Sequence, residues 1–416
     1  FFFICRDHKT NMEHLFSGKD ILDHGFFFHL QGYQYKVFWD FREVYDTNSI
    51  YEKLYHWLQG RGVPSIENAI KEHTLIPVHK VFDELFSEKI FEEVNSFCFN
   101  DDKSTKKTLK PEKTLVKTEQ LIAEINYIEN IPLSKEEIIK KLKDDLTGVK
   151  YFSESWNRAL QETKTKKSYT EINNSLTIFN SSTAQNRQVL FMLNVIKNLN
   201  GANSHKHDHE NMFDRLWIGK KLSELFDTFH FNHDAKEKNI ALIRCLSFHS
   251  ELLNLEFNIK KNKIVKSQKF LPKADPPLAE KKKIEAILLN QIFESYLIRD
   301  YLNYNEYDGI FYYSKERFEN LMDWIFTLNN ISFTKNLLDD KSLLKKKTAK
   351  KDKDKDEDED YDEEGKLRKK LFDQVKKNYE LFTNLKKASD AAGYKVDDLI
   401  HGFEITDQKI KNTMKL

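Results

Sequence analysis

Three histidines alternate with charged residues in Ser204-His205-Lys206-His207-Asp208-His209-Glu210. Imidazoles interleaved with carboxylates are the ligand chemistry of zinc or nickel. His230 and His233 follow further along, but no HExxH spacing places two ligands on one helical face. The segment is polar and directly precedes an amphipathic stretch. The expected role of His205, His207 and His209 is therefore a solvated approach to a helix, and no metal is assigned to them. A second cluster, Asp40, Glu43 and Asp46, stands at the end of an aromatic run. Glycosidic hydrolysis needs two carboxylates held a few ångströms apart across a sugar. Spacing alone does not place these three so, and capping of the next helix or plain solvent-facing polarity is expected of them. GxSxG, Walker-type and GxGxxG patterns are absent, and 12 glycines leave little material for a phosphate-cradling loop. No catalytic, cofactor-binding or metal-binding residue is assigned.

The elements that would position such groups change character along the chain. Residues 1–46 carry strand signals at Phe1 to Cys5, Phe26 to Leu30 and Tyr33 to Val44, punctuated by Gly18, Gly25 and Gly32. In the third run Tyr35, Val37, Trp39 and Phe41 alternate with Lys36, Phe38, Asp40 and Arg42, which predicts one bulky apolar face. So few strands close no core alone, so this segment reads as the end of a β-domain. The opening apolar run, with no methionine before it, reads as a strand cut on its upstream side, and the chain as a fragment.

From residue 47 the period becomes helical. Ile50, Leu54, Tyr55 and Leu58 share a stripe that the turn Gly60-Arg61-Gly62-Val63-Pro64-Ser65 ends, and helices are expected through residue 100 with a break at Pro77. Residues 101–205 read as a helical insertion with polar linkers. Within it, 101–118 are a linker, and helices are expected at 119–129 and 134–146, the second opened by a Ser134/Glu137 capping box. Residues 206–335 form a helical bundle. Its strongest stripe is Phe213, Leu216, Trp217, Lys220, Leu222, Leu225, Phe226 and Phe229, in which only Lys220 interrupts. That aromatic stripe could be a sugar platform, but helical spacing makes it core. Helices at 238–255, 281–301 and from Ser314 complete the bundle, with a basic connection over 259–279. Residues 336–370 contain Lys351-Asp352-Lys353-Asp354-Lys355-Asp356 and read as a charged, disordered linker. Residues 371–416 read as a C-terminal helical tail. The fold class is mainly α: irregular helical bundles preceded by a few β-strands.

Composition narrows the partners. The 416 residues suffice for two or three cores at roughly 150 residues each. Lys and Arg number 67 against 66 Asp and Glu, so there is no broad positive field and nucleic acid is not an expected partner. No charge-free window of membrane-spanning length occurs and no signal-peptide pattern is present, so no membrane is expected. Cys5, Cys98 and Cys245 are far apart in apolar or helical settings, the usage of a reducing, cytoplasmic compartment.

Several blocks resemble a known group. His14-Leu15-Phe16-Ser17-Gly18 with Phe26-Phe27-Phe28, then Tyr35 to Val44, then Gly60 to Ile66, are similar to the region that follows the catalytic part in large bacterial multidomain proteins of the α-amylase family. Arg215-Leu216-Trp217-Ile218-Gly219-Lys220 and Tyr304-Asn305-Glu306-Tyr307-Asp308-Gly309, leading into Ser314 to Phe318, extend the likeness. It covers about residues 10–86 and 210–330. The resemblance implies a non-catalytic accessory region whose partners are upstream domains of the same polypeptide and, through the parent, an α-glucan such as glycogen or maltodextrin. The parent would be a glycoside hydrolase or glucanotransferase with its barrel and paired carboxylates upstream of Phe1. The alternative is a free-standing helical interaction module with a protein or membrane-surface partner.

Overall fold

Alternation of Phe2 and Ile4 with Phe3 and Cys5 makes the first residues a strand, and the chain folds back on it twice. In the computed structural model, which describes residues 1–99, 110–129, 133–162, 167–179, 183–202, 211–249, 252, 276–348 and 357–403, the chain is mainly helical with five short strands in two small sheets. It divides into two compact units, Phe1–Phe82 with Glu124–Ile131, and Asp83–Ala123 with Pro132–Leu416.

In the first unit β1 (Phe2–Asp7) lies between β2 (Glu13–Ser17) and β3 (Phe38–Val44), antiparallel to both. Helices α1 (Gly18–His24), α2 (Ile50–Leu58) and α3 (Ile66–Leu85, whose last three residues belong to the second unit) accompany the sheet. One sheet face contributes Phe2, Ile4 and Leu15 to a core completed by Leu54, Leu58, Ile66 and Ala69. The strand expected at Phe26 to Leu30 does not form; the second strand comes from Glu13–Ser17 instead, and Phe26 and Phe28 stack on each other in a loop. The single apolar face expected of residues 35–42 is also corrected. Asp40 adopts φ 54° and the pairing with β1 slips there, so that Trp39 aligns with Arg6 and Arg42 with Ile4. A bulge of this kind ends strict alternation.

Pro77 does not break α3. It sits on the exposed side, where water can reach the carbonyl left without a donor, while Leu75, Val78, Phe82 and Leu85 stay buried. The break comes at Ser87, whose carbonyl accepts the first amides of α4 (Glu88–Phe99).

The second unit is helix on helix. It contains α5 (Glu112–Glu129, as far as Ala123), α6 (Lys135–Glu162), α7 (Lys167–Ser175), α8 (Thr183–Ala202), α9 (Met212–Arg215), α10 (Ile218–Thr228), α11 (His233–Phe248), α12 (Pro276–Glu294), α13 (Tyr296–Tyr301), α14 (Lys315–Thr348), α15 (Glu357–Ala391) and α16 (Val396–Phe403). Every residue from Val189 to Ile196 of α8 is buried, as expected of a helix enclosed by neighbours. It packs against α4, α6, α9 and α11. Between α13 and α14 the hairpin β4 (Asn305–Tyr307) and β5 (Ile310–Tyr312) turns through Asp308 and Gly309, both at positive φ as a two-residue hairpin of right-handed twist requires.

Several helix bounds differ from the periodicity. α5 begins at Glu112, directly after Pro111, inside the stretch read as a linker. α6 continues to Glu162. The stripe around Trp217 is split, since Trp217 takes a left-handed backbone and α10 starts afresh after it. Ser295 divides α12 from α13 by capping the latter through the Ile298 amide. The charged linker of 336–370 is corrected too: α14 runs through 336–348, and α15 begins at Glu357 and includes all of 357–370. Residues 349–356 of that run, 101–109, and most of the basic connection, 253–275, lie outside the described residues.

The GRGVPS turn owes its second glycine to space rather than to dihedral freedom. Gly60 has φ 80°, but Gly62 is closely approached: a Cβ there would stand 2.6 Å from His14 Nε2 and 2.9 Å from Met12 Cβ. Gly62→Val should therefore lower stability by about 1–3 kcal/mol through overpacking. Thermal unfolding followed by circular dichroism checks this, and an unchanged melting temperature counts against it.

Candidate functional site

Asp40, Glu43 and Asp46 are not brought together as a catalytic pair. Asp46 caps α2, accepting from the Ile50 amide at 2.9 Å and the Glu52 amide at 2.8 Å. Slight desolvation works against its charge, yet these backbone donors hold its pKa below the usual carboxylate value. Glu43 accepts from the Tyr45 hydroxyl at 3.0 Å, and Asp40 lies 3.7 Å from Arg42 Nε. His205, His207 and His209 lie outside the described residues; His230 and His233 are exposed, and among the described residues no cluster of three metal-binding side chains occurs. Of the aromatic stripe, Phe226 is fully buried and Phe229 meets Phe91 edge-on at 5.1 Å.

Glu13 organises the first unit. Its carboxylate takes Arg6 Nη2 at 2.6 Å, Arg42 Nη2, and the Ile66 amide at 2.7 Å, while its backbone pairs with Val63 in both directions. A buried acid from β2 thus caps α3, where the helix dipole favours negative charge. Beyond the core face, Phe16 meets Phe26, Phe28 and Phe38 at 5.4–5.8 Å, and Phe27, Tyr33, Tyr35, Trp39 and Tyr45 stand out into solvent.

Asp145 does the same for the second unit. It is 8% exposed and is met by Lys335 Nζ at 2.8 Å, Lys197 Nζ at 2.9 Å and Asn198 Nδ2 at 2.9 Å. Burial alone would raise its pKa, but the two ammonium groups and the amide prevail and bring it to about 2.

A cleft of about 1130 Å³ opens between the end of α3, the start of α4, α5 and α10. Phe86, Ile90, Leu225 and Phe229 form its apolar side, and the exposed Val116 lines it too. Lys221 is its buried cation, with Nζ 2.9 Å from Asp83 Oδ2 and 2.6 Å from Glu224 Oε2. Desolvation pulls the Lys221 pKa down, but both carboxylates outweigh it and the net direction is up, so the group stays protonated and cannot serve as a neutral amine nucleophile near pH 7.

No protein-family model, curated protein or solved structure matches this chain.

Lys221, Asp83 and Glu224 escape the sequence reading because it phases the stripe through Lys220. After the break at Trp217 the buried set is Ile218, Lys221, Leu222, Leu225 and Phe226, leaving Lys220 exposed. The i, i+3, i+4, i+7, i+8 pattern starting at Ile218 is the signal that would have found it.

Asp145→Ala should destabilise the protein by about 1–3 kcal/mol, since it leaves two part-buried lysines without their shared carboxylate. The pH dependence has a defined sign. A depressed folded pKa means that the stabilisation is complete above the unfolded carboxylate value near 4 and disappears as pH falls through about 2. Urea titrations between pH 6 and pH 2 should show this loss in wild type and a shallower one in Asp145→Asn.

Proposed function

We propose that the chain is a non-catalytic, mostly helical accessory region of an α-amylase-family protein acting on α-glucans, with a structural role of its own. One observation supports the structural role: the first three blocks that prompt the resemblance meet at a joint. Glu13 beside His14, Arg42 in the second block and Ile66 in the third are hydrogen-bonded to one another through a single carboxylate. The later block behaves likewise. Tyr304 to Gly309 supplies β4 and the turn of the β4–β5 hairpin, Ser314 donates its amide to the Leu302 carbonyl, and Arg317 reaches the Tyr301 carbonyl at 2.8 Å. Residues used as joints in this way hold a scaffold together. Cys5, Cys98 and Cys245 are free and buried, which supports a reducing, cytoplasmic setting. No helix among the described residues is long and apolar enough to cross a membrane.

The second reading, a free-standing helical module with a protein partner, is favoured by the exposed aromatic residues around β3. Two measurements separate the possibilities. The purified 416-residue chain, incubated with glycogen or maltodextrin, should release no reducing ends; release above a no-protein control would overturn the accessory role. The reading frame ahead of the Phe1 codon should continue into a barrel with acidic residues at strand ends. A nearby stop codon and start site would instead favour the interaction module.

A further inference from the structure

The cleft between α3, α4, α5 and α10 stands apart from the joints on which the accessory reading rests, and none of its residues takes part in them. Its shape and chemistry are those of a small-ligand site. Its volume of about 1130 Å³ lies just above the roughly 300–1,000 Å³ usual for small-molecule pockets, and an apolar side faces a few polar groups held at one place. Those polar groups are unevenly matched. Five carboxylates and four lysines line the cleft, and the uncompensated charge falls at its most buried cation, where Lys221 has one ammonium for the two carboxylates of Asp83 and Glu224. Elsewhere the charges balance, as Lys117 pairs with Glu84 at 2.6 Å. Lys221 reaches Oδ2 of Asp83 and Oε2 of Glu224, and both side chains are about half exposed, at 47% and 50%, so each carboxylate keeps accepting capacity toward solvent.

We propose that this cleft binds a small amphiphile with an apolar body and one protonated amine, the body lying along Phe86, Ile90, Leu225 and Phe229 and the amine donating to Asp83 and Glu224 beside Lys221. An anionic head would meet Lys221 with its charge already doubly matched and would face the excess carboxylate. Binding is non-covalent, and the recognised feature is the sign of the head group.

The test uses three probes of equal chain length, decylammonium, decanol and decanoate, below their micelle thresholds, titrated calorimetrically into the whole chain. Saturable uptake with decylammonium about fivefold tighter than decanoate is expected for one excess charge in a partly exposed site. Asp83→Asn, which balances the charge, should erase that preference, and Lys221→Met, which doubles the excess, should increase it by a similar factor. Val116→Trp changes an exposed wall residue and should weaken all three probes by narrowing the cleft, while circular dichroism shows that each variant is folded. Equal or tighter binding of decanoate, a preference unmoved by Asp83→Asn and Lys221→Met, uptake indifferent to Val116→Trp, or no saturable uptake would each overturn the proposal.

Discussion

Burying the Asp145 carboxylate costs several kcal/mol of lost hydration unless its oxygens are met by donors of opposite charge. In the larger unit those donors come from elements far apart in the chain: Lys197 and Asn198 on α8, and Lys335 on α14. Apolar packing alone would tolerate small slides and rotations of α6 against these helices, because dispersion and burial are not directional. A carboxylate that must accept three hydrogen bonds is not so tolerant. One turn further along α6, Gly148 lies so close to α14 that a Cβ would stand 3.3 Å from that of Lys335. The ion cluster and the close approach therefore specify the same helix pairing, one by charge geometry and the other by volume.

Glu13 has the corresponding place in the smaller unit, with a different consequence. Two guanidinium groups and a helix amide share its carboxylate, so β2, β1, β3 and the start of α3 are tied at a point. β2 and β3 are the two edges of this sheet; β2 is bridged to Val63 at Glu13, and β3 holds the other edge, a position that invites pairing with other chains. The left-handed Asp40 and the charges of Asp40, Arg42 and Glu43 interrupt the regular ladder there. Exposed aromatic residues thus coexist with an edge unsuited to simple strand addition, which directs attention to side-chain faces rather than to backbone pairing.

The helical class was legible from scarce glycine and proline and from long 3.6-residue stripes, and the structure is mainly helical. Element bounds were less so, for identifiable reasons. Pro77 signals a break only if its lost amide matters, and on an exposed face it does not. The charged run from Glu357 has no apolar face to announce a helix, yet its order of acids before lysines suits one. The space that Gly62 leaves was not legible, since its neighbours His14 and Met12 are distant in sequence. Asp145 and Glu13 gave no local signal at all: a lone acid in a helix or strand looks solvent-exposed until its partners from other elements are known.

The same limit governs the cleft. Lys220 and Lys221 are adjacent, chemically identical and set in one amphipathic run, so composition cannot say which one faces inward. The left-handed backbone at Trp217 decides it, because it ends α9 and restarts the helical phase at Ile218. From that start the buried face passes through position 221, and the lysine there needs two carboxylates to remain charged. One supplied by α10 itself, Glu224, lies three residues on and is a predictable helical neighbour. The other, Asp83, comes from α3 and turns a buried lysine into the polar end of a cleft. The left-handed turn at Trp217 therefore separates a helix that only packs from one that also seats a buried lysine at the polar end of a cleft.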